Sequence, residues 1–302
     1  YLPDAGKTLV LYADVPLVSI KTLKKLIAST NRKKLSILTS QVSDPKWYGR
    51  IIRDENHDPI AIREEADATK QEKSIHEIFT GIMVAENEFL KKGLKGLLRN
   101  NNAGEYYLTD LVDFASKRQL KIGSTLTRER EIYGANNKEE LAKLYESLIS
   151  LNVEAAKKKG TIFKDETTCY VEGQLKVGKD VRIGSNVTIK GSVSLGNDVC
   201  IESNVVLVNT KIGDNSTVKD FCSIEDSSLA KNVEVGPFAR LRNGAVLDDS
   251  AKIGNFVEIK KSKIGEGSKA NHHAYLGDAN IGKKVNVGAG TIPCNYDGKL
   301  KH

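Results

Sequence analysis

From Val177 onward, apolar residues return at every sixth position, and that spacing constrains the fold of this chain more than any other feature. The series runs Val177, Ile183, Ile189, Leu195, Ile201 and Leu207. After a five-residue step it resumes at Ile212, Val218 and Ile224 and, past a second short step at Leu229, at Val235. It continues through Leu241, Leu247, Ile253, Ile259, Ile264, Ala270, Leu276, Ile281 and Val287. A helix repeats every 3.6 residues and an ordinary strand every two, so neither produces a period of six. Hexapeptide repeats mark a parallel β-helix, in which three hexads close one coil and each coil buries its aliphatic residues against the next. The repeat predicts such a coil from about Val177 to Thr291. Residues 17 or 18 apart should then stack at strand spacing, about 4.8 Å. On that measure Arg242 stacks with Lys260, Glu258 with Tyr275, and His272 with Ala289.

The first 136 residues carry a different pattern. Thr8–Tyr12 is a short apolar run that leads to Asp14; 35–39 and 75–85 read as further strands, and 105–117 has apolar residues at helical spacing. This alternation predicts an α/β domain with a largely parallel sheet. Asn137 and Glu140 form a capping pair ahead of an apolar stripe through Leu141, Leu144, Tyr145, Leu148, Leu151 and Ala155. Gly160 can end this helix, so three regions are expected: a domain over 1–136, a connecting helix over 137–160 and the β-helix domain over 161–302.

Composition excludes several classes of function. The formal net charge is +7, but the basic residues are scattered and their runs are short, so nothing marks a nucleic-acid partner. No apolar run approaches membrane-spanning length, so no membrane association is expected. The four cysteines form no C-x-x-C pair, which suits reduced thiols in a cytoplasmic protein. Ala5-Gly6-Lys7-Thr8 imitates the end of a phosphate-binding loop but lacks its first glycine.

Several longer stretches are more specific. They include L-Y-A-D-V-P-L (11–17), W-Y-G-R-I (47–51), N-N-N-A-G-E-Y-Y-L-T-D (100–110) and G-A-N-N (134–137). Within the repeat region stand G-P-F-A-R-L-R-N-G (236–244), G-N-F-V-E-I-K-K-S (254–262), G-S-K-A-N-H-H-A-Y-L-G-D (267–278) and N-V-G-A-G-T-I-P-C-N-Y-D-G (286–298). Almost end to end, the chain resembles the bacterial bifunctional N-acetylglucosamine-1-phosphate uridyltransferase/glucosamine-1-phosphate acetyltransferase family. The resemblance implies a Rossmann-like nucleotidyltransferase domain, a helical arm and a left-handed β-helix that assembles as a homotrimer. Handedness comes from the resemblance alone, since parallel crossovers are otherwise right-handed. The family's Gly-rich nucleotide loop and its last coils have no counterpart here, so both domains read as incomplete.

For the β-helix the resemblance implies His272 as the general base of acetyl transfer, with Glu258 a candidate to orient the base or the amine. Two stacked cations such as Arg242 and Lys260 would suit a sugar phosphate. Tyr275, Asn286, Asn295 and Tyr296 would contact the sugar or the acetyl donor, and Ala289 would lie at acetyl-CoA. In the first domain Asp14 and Asn136 match the family's Mg²⁺ ligands, a hard cation that favours oxygen donors and nucleotide phosphates. Tyr12, Ala13, Gly49 and Glu64 match positions that contact UTP or the sugar phosphate. Phe79 stands where the family has Asn, which removes a polar sugar contact. Two other readings remain: a sugar-phosphate nucleotidyltransferase whose β-helix serves only assembly, and a non-enzymatic scaffold. The first predicts no Arg242/Lys260 pair and no His272-centred site. The second leaves the N-terminal domain unexplained.

Overall fold

A computed structural model describes residues 2–300. The chain divides into two compact units, one ending at Leu144 and the other beginning at Tyr145. Helix α4 (Lys138–Lys157) crosses that boundary.

The first unit is built on a six-stranded sheet. Its elements are β1 (Lys7–Val10), α1 (Ile20–Ser29), β2 (Leu35–Gln41), β3 (Arg50–Arg53), β4 (Pro59–Arg63), β5 (Glu77–Glu86), α2 (Asn87–Leu94), α3 (Asp110–Ser116) and β6 (Ile122–Thr127). Strand order is β4-β3-β5-β2-β6, with β1 pairing to β5. β5 is buried from Ile78 to Ala85, and its side chains alternate between two cores. Phe79, Met83 and Ala85 pack in one with Phe89, Leu90, Leu111 and Val112. Ile82 and Val84 pack in the other with Leu26 and Leu38. Helices therefore cover both faces.

The sheet is mixed, which corrects the expectation of a largely parallel one. Only β2 and β6 pair in parallel; β5 runs antiparallel to β1, β2 and β3, and β3 to β4. The β3–β4 link is a short turn in which the Asp54 carboxylate accepts from the Asn56 and Asp58 amides, and a turn that short can only reverse the chain. The helix expected over 105–117 begins only at Asp110, because Asn101 exchanges two hydrogen bonds with the Glu105 backbone and holds that stretch as a loop. α1, which the sequence pattern did not suggest, is capped by Ser19 Oγ accepting from the Thr22 amide at 3.1 Å. The α4 start matches its capping pair: Asn137 Oδ1 accepts from the Glu140 amide at 2.9 Å, and Glu140 accepts from the Asn136 amide at 2.7 Å.

The second unit is a parallel β-solenoid. Its ladder runs Arg182–Cys200–Thr217–Glu234–Lys252–Lys269–Asn286, every step 17 or 18 residues long. The first rungs lie before Val177, at Ile162–Arg182 and Tyr170–Thr188. One inward column, Leu207, Ile224, Leu241, Ile259 and Leu276, is 0% exposed throughout. A second buried row two residues earlier holds smaller residues, among them Val187, Val205, Ala239, Val257 and Ala274. Corners require left-handed backbone, and Asn or Asp supplies most of them, as at Asn186, Asn204, Asn215 and Asn232. Beyond Asn204 the same corner passes to Phe221, Phe238, Phe256 and His273, whose rings stack 4.9 to 5.3 Å apart.

Candidate active sites

Two nine-residue strands, Lys252–Lys260 and Lys269–Gly277, run through that aromatic corner and form the floor of the candidate site on the solenoid. Register pairs Arg242 with Lys260, as the repeat spacing predicts. Their side chains are each 26% exposed. The mutual repulsion of two stacked cations is relieved by acidic neighbours of the chain itself. Arg242 Nε donates to Glu258 Oε1 at 2.7 Å, and Lys260 Nζ lies 4.0 Å from an Asp278 oxygen. The Arg242 contact uses Nε, so the two Nη groups of the fork remain for a ligand.

Glu258 stacks beneath Tyr275, again as spacing predicts. Its carboxylate is engaged by Arg242 and not by His272. The imidazole is met instead by Asn255, directly below it in the ladder, with Nδ1 2.8 Å from Asn255 Oδ1. Ala289 belongs to the next coil, between the Ala270–Val287 rung and the bond from the Gly290 amide to the His273 carbonyl, which agrees with the expected stacking on His272. Asn295 reaches back to this region by donating from Nδ2 to the Gly277 carbonyl at 2.7 Å, whereas Tyr296 is exposed and bonds only locally, to the Gly298 carbonyl. Asn286 stands apart, on the column above Lys269 and Lys252 and away from the Arg242/Lys260 column.

The first unit contains a cavity of about 450 Å³ lined by Tyr12, Asp14, Gly49, Glu64, Phe79 and Asn136 among others. Six of the seven residues expected there converge; Ala13 lies in the same loop but does not line the cavity. Asp14 and Asn136 are brought together by backbone, since the Ala135 amide donates to the Asp14 carbonyl at 3.1 Å. Asn136 Nδ2 donates to Glu140 at 3.3 Å, a contact that does not use its Oδ1. Two oxygen donors in one cleft fit Mg²⁺, which retains waters and takes further ligands from phosphates.

Close approach explains two glycines. A Cβ on Gly81 would lie 2.0 Å from the Tyr12 ring, and one on Gly49 would lie 2.7 Å from Ile62 and 3.3 Å from Glu64. Glu64 accepts from Thr109 Oγ1 at 2.9 Å. Burial, then the Glu64 and Asp14 carboxylates, raise the Tyr12 phenol above its ordinary pKa. Phe79 donates its amide to the Gly49 carbonyl at 2.8 Å and presents its ring to the cavity wall. Trp47, 80% exposed with φ +74°, stands at the rim with the Lys46 ammonium 5.8 Å from its ring centroid. Among the described residues no helix is long and apolar enough to cross a membrane, and all four cysteines are free.

Comparison with known proteins decides the family. The bifunctional protein GlmU of Nitrosomonas eutropha is 46% identical over 306 aligned positions, which cover 100% of this chain and 67% of that protein. GlmU of Acinetobacter baylyi is 44% identical over 302 positions, covering 100% of the chain and 66% of its own length. The chain belongs to the GlmU family. It spans about two thirds of the length of these relatives. The family model described as the GMPPB C-terminal domain matches residues 166–250, within the solenoid. A nucleoside-diphosphate-sugar pyrophosphorylase structure from Vibrio cholerae RC9 shares 13% identity, with a TM-score of 0.35 over 46% of this chain and 56% of its own, too loose a likeness to support anything further.

The GlmU family comprises bifunctional transferases of UDP-N-acetylglucosamine synthesis, with a left-handed β-helix. Within that frame, the residue that sequence reasoning missed is Asn255. Stepping the 17-residue coil backward from His272 finds it. Thr109 and the adjacent Trp47 and Tyr48 were not singled out either, although they lie in the stretches 100–110 and 47–51; they reach the first cavity from two loops that no spacing rule connects.

Proposed function

We propose that the protein containing this chain makes UDP-N-acetylglucosamine in two steps, as a cytoplasmic homotrimer. In the first, glucosamine-1-phosphate is acetylated from acetyl-CoA on the solenoid. Arg242 and Lys260 hold the sugar phosphate, the Arg through its Nη fork and the Lys as a point charge. His272 takes a proton from the amine as nitrogen attacks the thioester carbonyl. The C–N bond forms, the C–S bond breaks, and CoA leaves as the thiol once protonated. General-base assistance of this kind contributes about 10² to 10⁴ in rate. Tyr275, Asn286 and Asn295 are assigned to the sugar and acetyl donor, with Ala289 and Tyr296 at acetyl-CoA. Asn286 lies on a separate column within one chain, which suits a pocket completed across the trimer.

In the second step an oxygen of the N-acetylglucosamine phosphate attacks the α-phosphorus of UTP, a P–O bond forms and pyrophosphate leaves. Tyr12, Ala13, Gly49, Glu64 and Phe79 bind and orient the substrates. Asp14 and Asn136 would hold Mg²⁺, which when bound offsets the triphosphate's charge.

The observation that carries this reading is the stacked Arg242/Lys260 pair, with Lys260 one coil and Arg242 two coils below the His272 strand, in a chain that matches GlmU proteins along its whole length. The test uses the full-length protein. A His272→Ala variant should lose acetyl-dependent CoA release while pyrophosphate release from UTP persists. Undiminished CoA release in that variant would refute the assignment.

A further inference from the structure

The structure assigns Asn255 as the positioning residue of the acetyltransferase base. This rests on the reading of His272 as that base. Asn255 and His272 are rung partners, and Nδ1 of the ring lies 2.8 Å from the amide oxygen. A carbonyl oxygen only accepts, so the ring nitrogen facing it must carry the proton. The neutral imidazole is thereby held with its lone pair on Nε2, the tautomer a base needs if Nε2 faces the amine.

The surroundings hold this geometry in place. Gly254 lets the two coils approach, since a Cβ there would lie 1.9 Å from the Asn271 carbonyl oxygen. One residue further along each strand, the Phe256 and His273 rings stack at 5.1 Å, both on left-handed backbone. Asn255 and His272 are thus bracketed on each side by a close contact between the same two coils.

The chemistry of the partner also matters. A carboxylate at this position would stabilise the imidazolium and raise its pKa, which shrinks the fraction of free base near neutrality. A neutral amide orients the ring without that penalty. Other charged or titratable groups on the packed strands are Lys252, Glu258 and Lys260 below, and Lys269, His273 and Tyr275 on the same strand; Asn286–Val287 above contributes none. Lys252 lies 3.4 Å from Glu234, Glu258 is bound by Arg242, and Lys260 is near Asp278, and the Asn255 oxygen is the group that accepts from Nδ1.

The test compares Asn255→Ala and Asn255→Asp in the full-length enzyme, by CoA release across pH, with pyrophosphate release from UTP as a check on folding. Asn255→Ala should lower kcat for acetyl transfer about 10- to 100-fold, by analogy with the loss of the orienting partner of a metal-bound histidine. Asn255→Asp, which can only accept, should recover much of that loss at high pH. Its acidic limb in kcat/KM should move up by about one pH unit or more, because the carboxylate favours the charged ring. Two results would overturn the assignment: kcat in Asn255→Ala within twofold of the parent, or equal losses in both variants with an unmoved pH profile. The second is what a merely structural role predicts, and also what an amide donating to Nδ1 predicts. If His272→Ala retains acetyl transfer, the underlying reading fails first.

Discussion

Replacement of Arg242 by alanine tests whether the stacked cations form a phosphate site. The side chain has one strong neighbour, Glu258 at 2.7 Å, and both groups are about a quarter to a third exposed. An ion pair that open to water contributes at most about 1 kcal/mol, so its loss should barely affect folding. The phosphate contacts are another matter. A hydrogen bond to a charged group contributes about 1.5–3 kcal/mol, and each 1.4 kcal/mol is tenfold in affinity. The KM for glucosamine-1-phosphate should therefore rise about 10- to 150-fold, with kcat at saturation within a few-fold of the parent. Arg242→Lys keeps the charge but loses the fork, and should fall between the two. The assay is CoA release at varied sugar phosphate and saturating acetyl-CoA in the full-length enzyme. A KM within twofold of the parent, or a fall confined to kcat, would show that Arg242 does not bind the phosphate. Because Lys260 is its rung partner, the Arg242/Lys260 double variant should also depart from additivity.

Other consequences are direct. Gly254→Ala places a methyl 1.9 Å from a backbone oxygen, so the coils must separate; thermal unfolding followed by circular dichroism should show a loss of about 1–3 kcal/mol or more. Phe79→Asn should lower the KM for N-acetylglucosamine-1-phosphate by about two- to tenfold through one restored hydrogen bond, while its Tm falls because a buried ring leaves the core. Burial pushes the Cys222 thiol up to about 11 from 9.0, so the neutral form is favoured in the folded protein. That preference is fully present below about pH 9 and is lost as pH rises toward 11, so in denaturant titration the stability of the parent relative to Cys222→Ala should fall by about 2–3 kcal/mol across that range. An unchanged difference between those two proteins from pH 8 to 11 would refute the burial argument.

The solenoid was far more legible in the sequence than the first unit, for a physical reason. A coil closes after 17 or 18 residues, so sequence distance becomes spatial distance, and the pairings Arg242–Lys260 and Glu258–Tyr275 follow by counting. Counting gives rungs and not the reach of side chains. Glu258 is the rung partner of Arg240, yet its carboxylate meets the Arg242 guanidinium, a diagonal contact that long side chains make freely. Strand direction was not legible in the first unit, because alternation of buried residues is the same whichever way a strand runs. β5 shows this: its apolar run reads as a buried strand, and only the fold makes it antiparallel to three neighbours. Its cavity gathers residues from loops as distant as Tyr12, Trp47, Thr109 and Asn136, and only a family resemblance could collect them.

The same counting separates structure from site. Where a column repeats one solution, it maintains the coil. The corner asparagines bond to one another, as Asn186 does to Asn204, and the Asn209 amide bonds Asp226 in the same way. From Phe221 to His273 the Asn186 corner is held by stacked rings, a second way of keeping one column together. At the His272 end the columns do change with each step, from Asn255 to His272, from Glu258 to Tyr275, and from Lys260 to Gly277. The aromatic corner beside them likewise ends its run of phenylalanines at His273. Outward columns change elsewhere too, as Cys200, Thr217, Glu234 and Lys252 do along one ladder, so a change of residue alone does not mark a site. What distinguishes the His272 end is the chemistry of its columns, two cations in register and an imidazole held by the rung below, so the repeat supplies the placement and the side chains supply the site.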